Sequence, residues 1–264
     1  MLNEMTRTYI AKMDVGPVDF KVAIMRDAEV PVVEKLPEAI VAGSTMIQFP
    51  PQTPPEIRAS VALSLLAAQK VATHDGKVTT PEEWIQRHNE VLTNLNWVVE
   101  DQGVQEQEFK SINTAVHTAI IPFITTALTG VGAALIVTAL EQLQEMDRNK
   151  PWITLFDNES RHFNITAYQF ASVKVEGNQV HLRMAMMQFD ATYGTTRVLF
   201  FELKRQKATF LSAWNQVVGE ADLLIEMNSS LKKKLASLTE LYIQSIPEEF
   251  WKQSKLRRAS AMIA

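Results

Sequence analysis

Cysteine is absent from the 264 residues, which excludes disulfides, thiolate zinc sites and a cysteine nucleophile. Such a chain folds equally well in a reducing or an oxidising compartment. Glycine is scarce, and no glycine-rich phosphate loop occurs. Thr129-Gly130-Val131-Gly132 lacks the remaining glycine of a dinucleotide fingerprint and follows no strand pattern. A basic excess is missing as well. With 26 Lys and Arg against 30 Asp and Glu, the net charge is −4, which argues against a nucleic-acid partner. His74, His88, His117, His162 and His181 show no H-x-x-x-H spacing, so no metal and no cofactor is expected. The opening MLNEMTRTYIAKMDVG has no apolar core of about seven residues and is not a standard secretory signal. A soluble protein is expected, either cytoplasmic or released by lysis or a dedicated export machine.

One further absence is positive information. No Asp, Glu, Lys or Arg occurs in the 30 residues from Ser111 to Leu140. About 20 apolar residues suffice to cross a bilayer. Here, however, Asn113, Thr114, His117, Thr118, Thr125, Thr126, Thr129 and Thr138 dilute the run, and Pro122, Gly130 and Gly132 punctuate it. Its flanks carry neither an aromatic belt nor a strong lysine/arginine asymmetry. A permanent membrane anchor is therefore not expected. Two readings remain: a helix apolar all round inside a soluble core, or a helix that leaves that core to meet lipid or another subunit. Ile120, Phe123, Ile124, Leu128, Val131, Leu135, Ile136 and Leu140 are the candidate membrane or interface positions. His117 is a candidate pH-sensitive group, since imidazole titrates between about pH 5 and 8. Its alternative is a neutral core histidine with one hydrogen-bond partner.

Residues 1–53 read as an extended, strand-bearing segment with a short apolar run at Phe20-Lys21-Val22-Ala23-Ile24-Met25 and a proline cluster at its end. Residues 54–150 read as a helical layer. Thr53-Pro54-Pro55-Glu56 has the form of a capping box with proline at the first helical position, opening a helix over about 54–73. Thr80-Pro81-Glu82-Glu83 repeats the signal. After it Trp84, Ile85, His88, Val91, Leu92, Leu95, Val98 and Val99 recur at helical spacing. Gly103 then separates a further helix over about 104–119, and the uncharged run supplies another.

From Pro151 the period changes to 2. Phe163, Ile165 and Ala167 alternate with polar residues, Glu176-Gly177-Asn178 marks a turn, and Val180, Leu182, Met184 and Met186 alternate again. The alternation slips at Tyr168 to Phe170 and at Met186-Met187, which predicts a bulge in each strand. Val198-Leu199-Phe200-Phe201 has the texture of a central strand, and another strand is expected over about Ala208 to Val218. Ser229 or Ser230 caps a final helix carrying Leu231, Leu235, Leu238, Tyr242 and Ile246, closed by Pro247. A basic tail, 251–264, follows. The order predicts an α+β protein in one compact domain: an antiparallel sheet of about four to six strands within 151–250, covered by helices.

Catalytic candidates are thin. His74 to Glu82 resembles part of a calcium loop, yet Val71 and Thr73 stand where oxygen ligands belong, so a plain turn is the simpler reading. Asp157, Glu159 and His162 form an imaginable acid/base group, but no nucleophile elbow or second carboxylate at a defined distance accompanies them. Lys232-Lys233-Lys234 and Arg257-Arg258 read as solvated faces, with anionic headgroups as the other reading. Met184, Met186 and Met187 read as core filling.

The long Ala/Gly/Thr-rich helix, the segment Pro151-Trp152-Ile153-Thr154-Leu155-Phe156 taken as a tryptophan-bearing strand, and the sheet containing Val198-Leu199-Phe200-Phe201-Glu202-Leu203 together resemble the Cyt-type cytolytic δ-endotoxins and related fungal cytolysins over about residues 105–218. The resemblance implies a sheet wrapped by helix layers that peel away as the sheet engages a lipid membrane and oligomerises. It carries over no residue roles, and the family places more β-structure at its N-terminus than residues 54–100 suggest. The leading expectation is a non-enzymatic toxin or virulence-type protein that forms a homo-oligomer on membranes. Its alternatives are a self-assembling structural or partner-binding protein, and a lipid or small-ligand carrier.

Overall fold

The computed structural model describes residues 4–17, 32–74, 80–109, 120–128, 130–142, 150–162, 165–190 and 208–247. Helices are α1 (Glu4–Lys12), α2 (Pro55–His74), α3 (Pro81–Asn94), α4 (Ile121–Leu128), α5 (Gly130–Gln142), α6 (Pro151–Glu159), α7 (Ala221–Lys234) and α8 (Ala236–Tyr242). Strands are β1 (Ala39–Ala42), β2 (Thr45–Gln48), β3 (Val98–Phe109), β4 (Arg161–His162), β5 (Ile165–Glu176), β6 (Gln179–Asp190), β7 (Ala208–Glu220) and β8 (Ile243–Ser245). His117 and Val198–Phe201 lie outside the described residues.

The sheet runs β3-β7-β6-β5-β2-β1-β8, with β4 also paired to β5. It is larger than the four to six strands expected, and it is mixed. β2 pairs β5 in parallel, Thr45 opposite Gln169 through Gln48 opposite Ser172, while the other pairings are antiparallel. The extra strands come from residues 39–48, from β3 and from β8. Polar side chains stitch the parallel joint, where Thr45 Oγ1 donates to Gln169 Oε1 at 2.9 Å. Gln69 from α2 accepts there from the Ser44 backbone at 2.9 Å.

The long hairpin follows the expected plan. Gly177 opens its turn with φ 58°, a left-handed conformation that glycine adopts without strain at the first central position of a two-residue loop. The bulges are not there, because β5 and β6 pair without a break from Ile165 opposite Asp190 to Glu176 opposite Gln179. The alternation fades for another reason: both faces of the sheet are covered. Ala167, Tyr168, Gln169, Phe170 and Ala171 are all buried, as are Met184, Ala185, Met186 and Met187. On one face Met186 and Ala213 pack with Ala72 of α2 and with Trp84 and Ile85 of α3. On the other, Tyr168 and Phe170 meet Phe156 of α6, each at 5.9 Å between ring centroids. α4 and α5 lie on that second face, against β5 and β6. A helix buried on nearly every side, as α2 is from Ile57 to Ala72, reads as apolar throughout for this reason.

Several expectations about the helices and their ends need correction. At α3 the Thr80 capping box forms, Thr80 Oγ1 accepting from Glu83 N at 3.2 Å and Glu83 Oε2 from Thr80 N at 3.1 Å. The helix nevertheless stops at Asn94 rather than Val99. Asn96 turns left-handed at φ 62°, Trp97 N donates to Leu92 O and Asn96 N to Thr93 O, and buried Leu92 and Trp97 complete a Schellman cap. Residues 98–109 therefore form the edge strand β3, so the helix expected over 104–119 does not form across 104–109, and residues 110–119 lie outside the described residues. Pro151–Phe156 belongs to a helix, α6, with proline at its first turn and Trp152, Ile153, Leu155 and Phe156 buried. The final helix starts at Ala221, breaks at Leu235, and ends in β8 rather than at Pro247. At α2, Thr53 Oγ1 is buried without a hydrogen-bond partner, so that capping box does not close.

Gly103 of β3 lies opposite Trp214 of β7. A Cβ at position 103 would overlap the Trp214 ring. Gly103→Ala is expected to lower stability by about 1–3 kcal/mol, the usual cost of overpacking. Urea unfolding followed by tryptophan fluorescence checks it, and Trp214→Ala in the same chain should remove most of the loss.

Candidate functional site

In the uncharged run the described residues form α4 and α5, Thr129 lies outside the described residues, and no helix among the described residues is long and apolar enough to cross a membrane. Ile120, Phe123, Ile124, Leu128, Ile136 and Leu140 are buried, and Leu135 is half-buried against the core. Val131 lies in α5, its side chain outside the described residues. The outward side of α4 carries Thr125 and Thr126, whose hydroxyls donate to Ile121 O at 2.9 Å and Pro122 O at 3.0 Å. Thr138 likewise donates to Ala134 O at 2.8 Å. These threonines satisfy their own hydroxyls along the helix, so the surface makes little polar demand on whatever covers it.

The acid group on α6 is committed elsewhere. Glu159 Oε2 lies 2.6 Å from Lys70 Nζ of α2, and the same ammonium stands 3.3 Å over the Tyr242 ring. Asp157 is buried nearby in sequence, and the side chain of His162 is outside the described residues. His74 approaches Asp14 Oδ2 at 3.5 Å, and residues 75–79 of the supposed calcium loop are not described. Among the described residues no group of three His, Asp or Glu is placed to hold a metal. The basic run on α7 anchors neighbours: Lys232 pairs with Glu34 at 2.7 Å, and Lys234 donates to Ala11 O at 3.0 Å.

Two features have no clear signal in the sequence. The first is His88, fully buried on α3 and stacked on Trp84 at 5.2 Å. Among the described residues neither of its ring nitrogens has a hydrogen-bond partner. Burial drives its pKa from 6.5 down to about 4, and the Asn89 side chain opposes that slightly without reaching hydrogen-bonding geometry. The second is a groove of about 620 Å³ between α3 and β3. Residues Glu82, Gln86, Asn89 and Thr93 recur on its helical wall, while Gln102 and Val104 line the strand wall. Asn89 clamps the walls together, donating to Gln102 Oε1 at 3.1 Å and accepting from Asn215 Nδ2 at 2.6 Å. The i, i+4 spacing of Glu82 and Gln86 is visible in the sequence, but nothing there announces that β3 lies opposite.

These elements define the class of the molecule: an α+β protein whose mixed sheet lies between helical layers. No protein-family model and no curated protein matches the chain. Among solved structures it is similar to the Evf virulence factor, at 13% identity over 92% of each chain and a TM-score of 0.32. It is similar to the activated Cyt2Ba monomer from Bacillus thuringiensis subsp. israelensis, at 16% identity over 66% of this chain and 96% of that one, TM-score 0.34. A delta-endotoxin matches at 15% identity over 78% and 90%, TM-score 0.31.

Proposed function

We propose that the chain is a non-enzymatic toxin or virulence-type protein that oligomerises on lipid membranes, with α4 and α5 as a movable cover and β5, β6 and β7 as the inserting sheet. The observation that carries the reading is a mismatch of lengths. The helices of this run have 8 and 13 described residues, each short of the roughly 20 that span a bilayer, whereas the three strands beneath have 12, 12 and 13. A tilted membrane strand needs about 9–11 residues. The strands therefore suit a bilayer and the helices suit the role of a lid. Small side chains on the lid lower the cost of repacking it against lipid or a neighbouring subunit.

Dye-loaded liposomes made from whole-cell lipid extract test the proposal at pH 5 and pH 7. Release at micromolar protein, together with cross-linked oligomers in the lipid fraction, is the expected result; an intact dye load at both pH values would end it. A second reading, assembly in water through the outer face of α4, draws on the self-satisfied Thr125 and Thr126 hydroxyls. A defined large particle by light scattering without lipid would favour that reading instead.

A further inference from the structure

The groove between α3 and β3 takes no part in the lid-and-sheet reading, yet it has the make-up of a binding site. The geometry points to an uncharged saccharide as its ligand, and specifically to a short neutral oligosaccharide of the kind displayed on cell surfaces. Four observations carry the assignment. Its volume, about 620 Å³, falls within the range of roughly 300–1,000 Å³ typical of small-molecule sites. Its lining contains Glu82 and Glu90 and no Lys, Arg or His, and Glu90 already engages Arg87 at 3.0 Å, so phosphates, sulfated sugars and acidic lipids find no lining cation to meet them.

The third observation is the pairing of surfaces. Ile85, Val99 and Val104 give the groove apolar patches, and Val104 is exposed by about half at 52%. Amides and carboxylates stand beside them. A pyranose ring presents the complementary pattern, with an apolar C–H face and a belt of hydroxyls that both donate and accept. A simple acyl chain would leave the remaining hydrogens and lone pairs of these amides and carboxylates unmet, which is costly once water is excluded.

The fourth is that the polar groups are already held in place. Glu90 accepts from Gln86 Nε2 at 3.2 Å through Oε1 and from Arg87 at 3.0 Å through Oε2. Each carboxylate oxygen has a second lone pair, so the fixed carboxylate can accept from two neighbouring hydroxyls. Asn89 is tied to both strands, as described above, and its Nδ2 keeps a second hydrogen to give. Preorganisation of this kind reduces the ordering cost of binding. The amide clamp ties helix wall to strand wall, whereas the lid lies on the opposite face of the sheet.

The assignment goes beyond membrane action and does not depend on it. The test uses the full chain with four probes, maltotriose, chitotriose, mannotriose and lactose, by saturation-transfer NMR and titration calorimetry. At least one is expected to bind saturably in the millimolar range or tighter. Val104→Lys places a cation at an exposed position in the groove and should weaken that binding about tenfold or more, with the melting temperature and circular dichroism unchanged. Gln86→Ala is expected to weaken it in the same direction. Spermidine is the charged control. Binding of spermidine with none of the four sugars would overturn the saccharide assignment, as would sugar binding that survives Val104→Lys intact. Liposome leakage is read in parallel, so failure of the sugar site and failure of the membrane reading are seen separately.

Discussion

Lys70→Met is expected to lower stability by about 3–5 kcal/mol, the usual penalty for removing one partner of a buried ion pair. The Lys70 and Glu159 side chains are only 15% and 10% exposed and sit 2.6 Å apart. Tyr242 contributes its ring face to the same ammonium. Without Lys70 the Glu159 carboxylate would face a low-dielectric surrounding with this countercharge gone. Protonation of the carboxylate removes the charge that Lys70 no longer meets, so the loss should be larger at pH 7 than at pH 4.5. Lys70→Met with Glu159→Met removes both charges and should recover most of the stability. Urea midpoints for the three chains at the two pH values settle it; equal losses for the single and double variants at pH 7 would defeat the argument. The pair joins α2 to the last residue of α6 and the last residue of α8, so weakening it loosens contacts between elements on different sides of the sheet. Under the membrane reading, Lys70→Met should also speed dye release.

How much of the fold is legible in the sequence depends on whether the signal is local. The α3 start is legible because Thr80, Pro81 and Glu83 act within one turn. The hairpin turn is legible because Gly177 meets a purely local steric demand. β7 ends within two residues of its expected end, since a long β-prone stretch has few alternatives. By contrast β3, with its Glu, Asp and Gln, has no strand texture of its own. It becomes a strand because β7 supplies a pairing partner from Val98 opposite Val218 to Phe109 opposite Ala208, an example of tertiary context overriding local preference. Burial of both faces erases the alternation near Tyr168 and Met186 and imitates a bulge. Val98 and Val99 continue the helical spacing of α3 by coincidence, and Asn96 ends the helix through a backbone conformation that periodicity does not register. The groove is invisible for the same reason as β3: its two walls are joined by Asn89, Gln102 and Asn215, residues brought together only by the fold.

Acidification from pH 6.5 to about 4 should remove about 3 kcal/mol of stability through His88 alone, at about 1.4 kcal/mol for each pH unit between the unfolded and folded pKa values. The imidazole is neutral in the folded protein down to about pH 4, because among the described residues the interior around it offers no partner for either ring nitrogen. In the unfolded chain the same group takes up a proton near pH 6.5. Between these values the unfolded state binds a proton that the folded state refuses, and stability drops as pH falls through that window. By pH 5 the loss amounts to about 2 kcal/mol. His88→Phe keeps an aromatic ring against Trp84 and removes both unpartnered nitrogens. Its stability should therefore fall less between pH 7 and pH 5 than that of the parent, by about 2 kcal/mol, while titrating groups elsewhere cancel in the comparison. Urea unfolding at the two pH values gives the difference directly, and matching pH dependence in both chains would assign the effect to other groups. The position gives the number a functional consequence. His88 is fully buried on a helix packed against the sheet, so its forced protonation favours states in which α3 has come away. If the sheet must be uncovered to reach lipid, dye release should be faster at pH 5 than at pH 7 in the parent, and His88→Phe should narrow that gap.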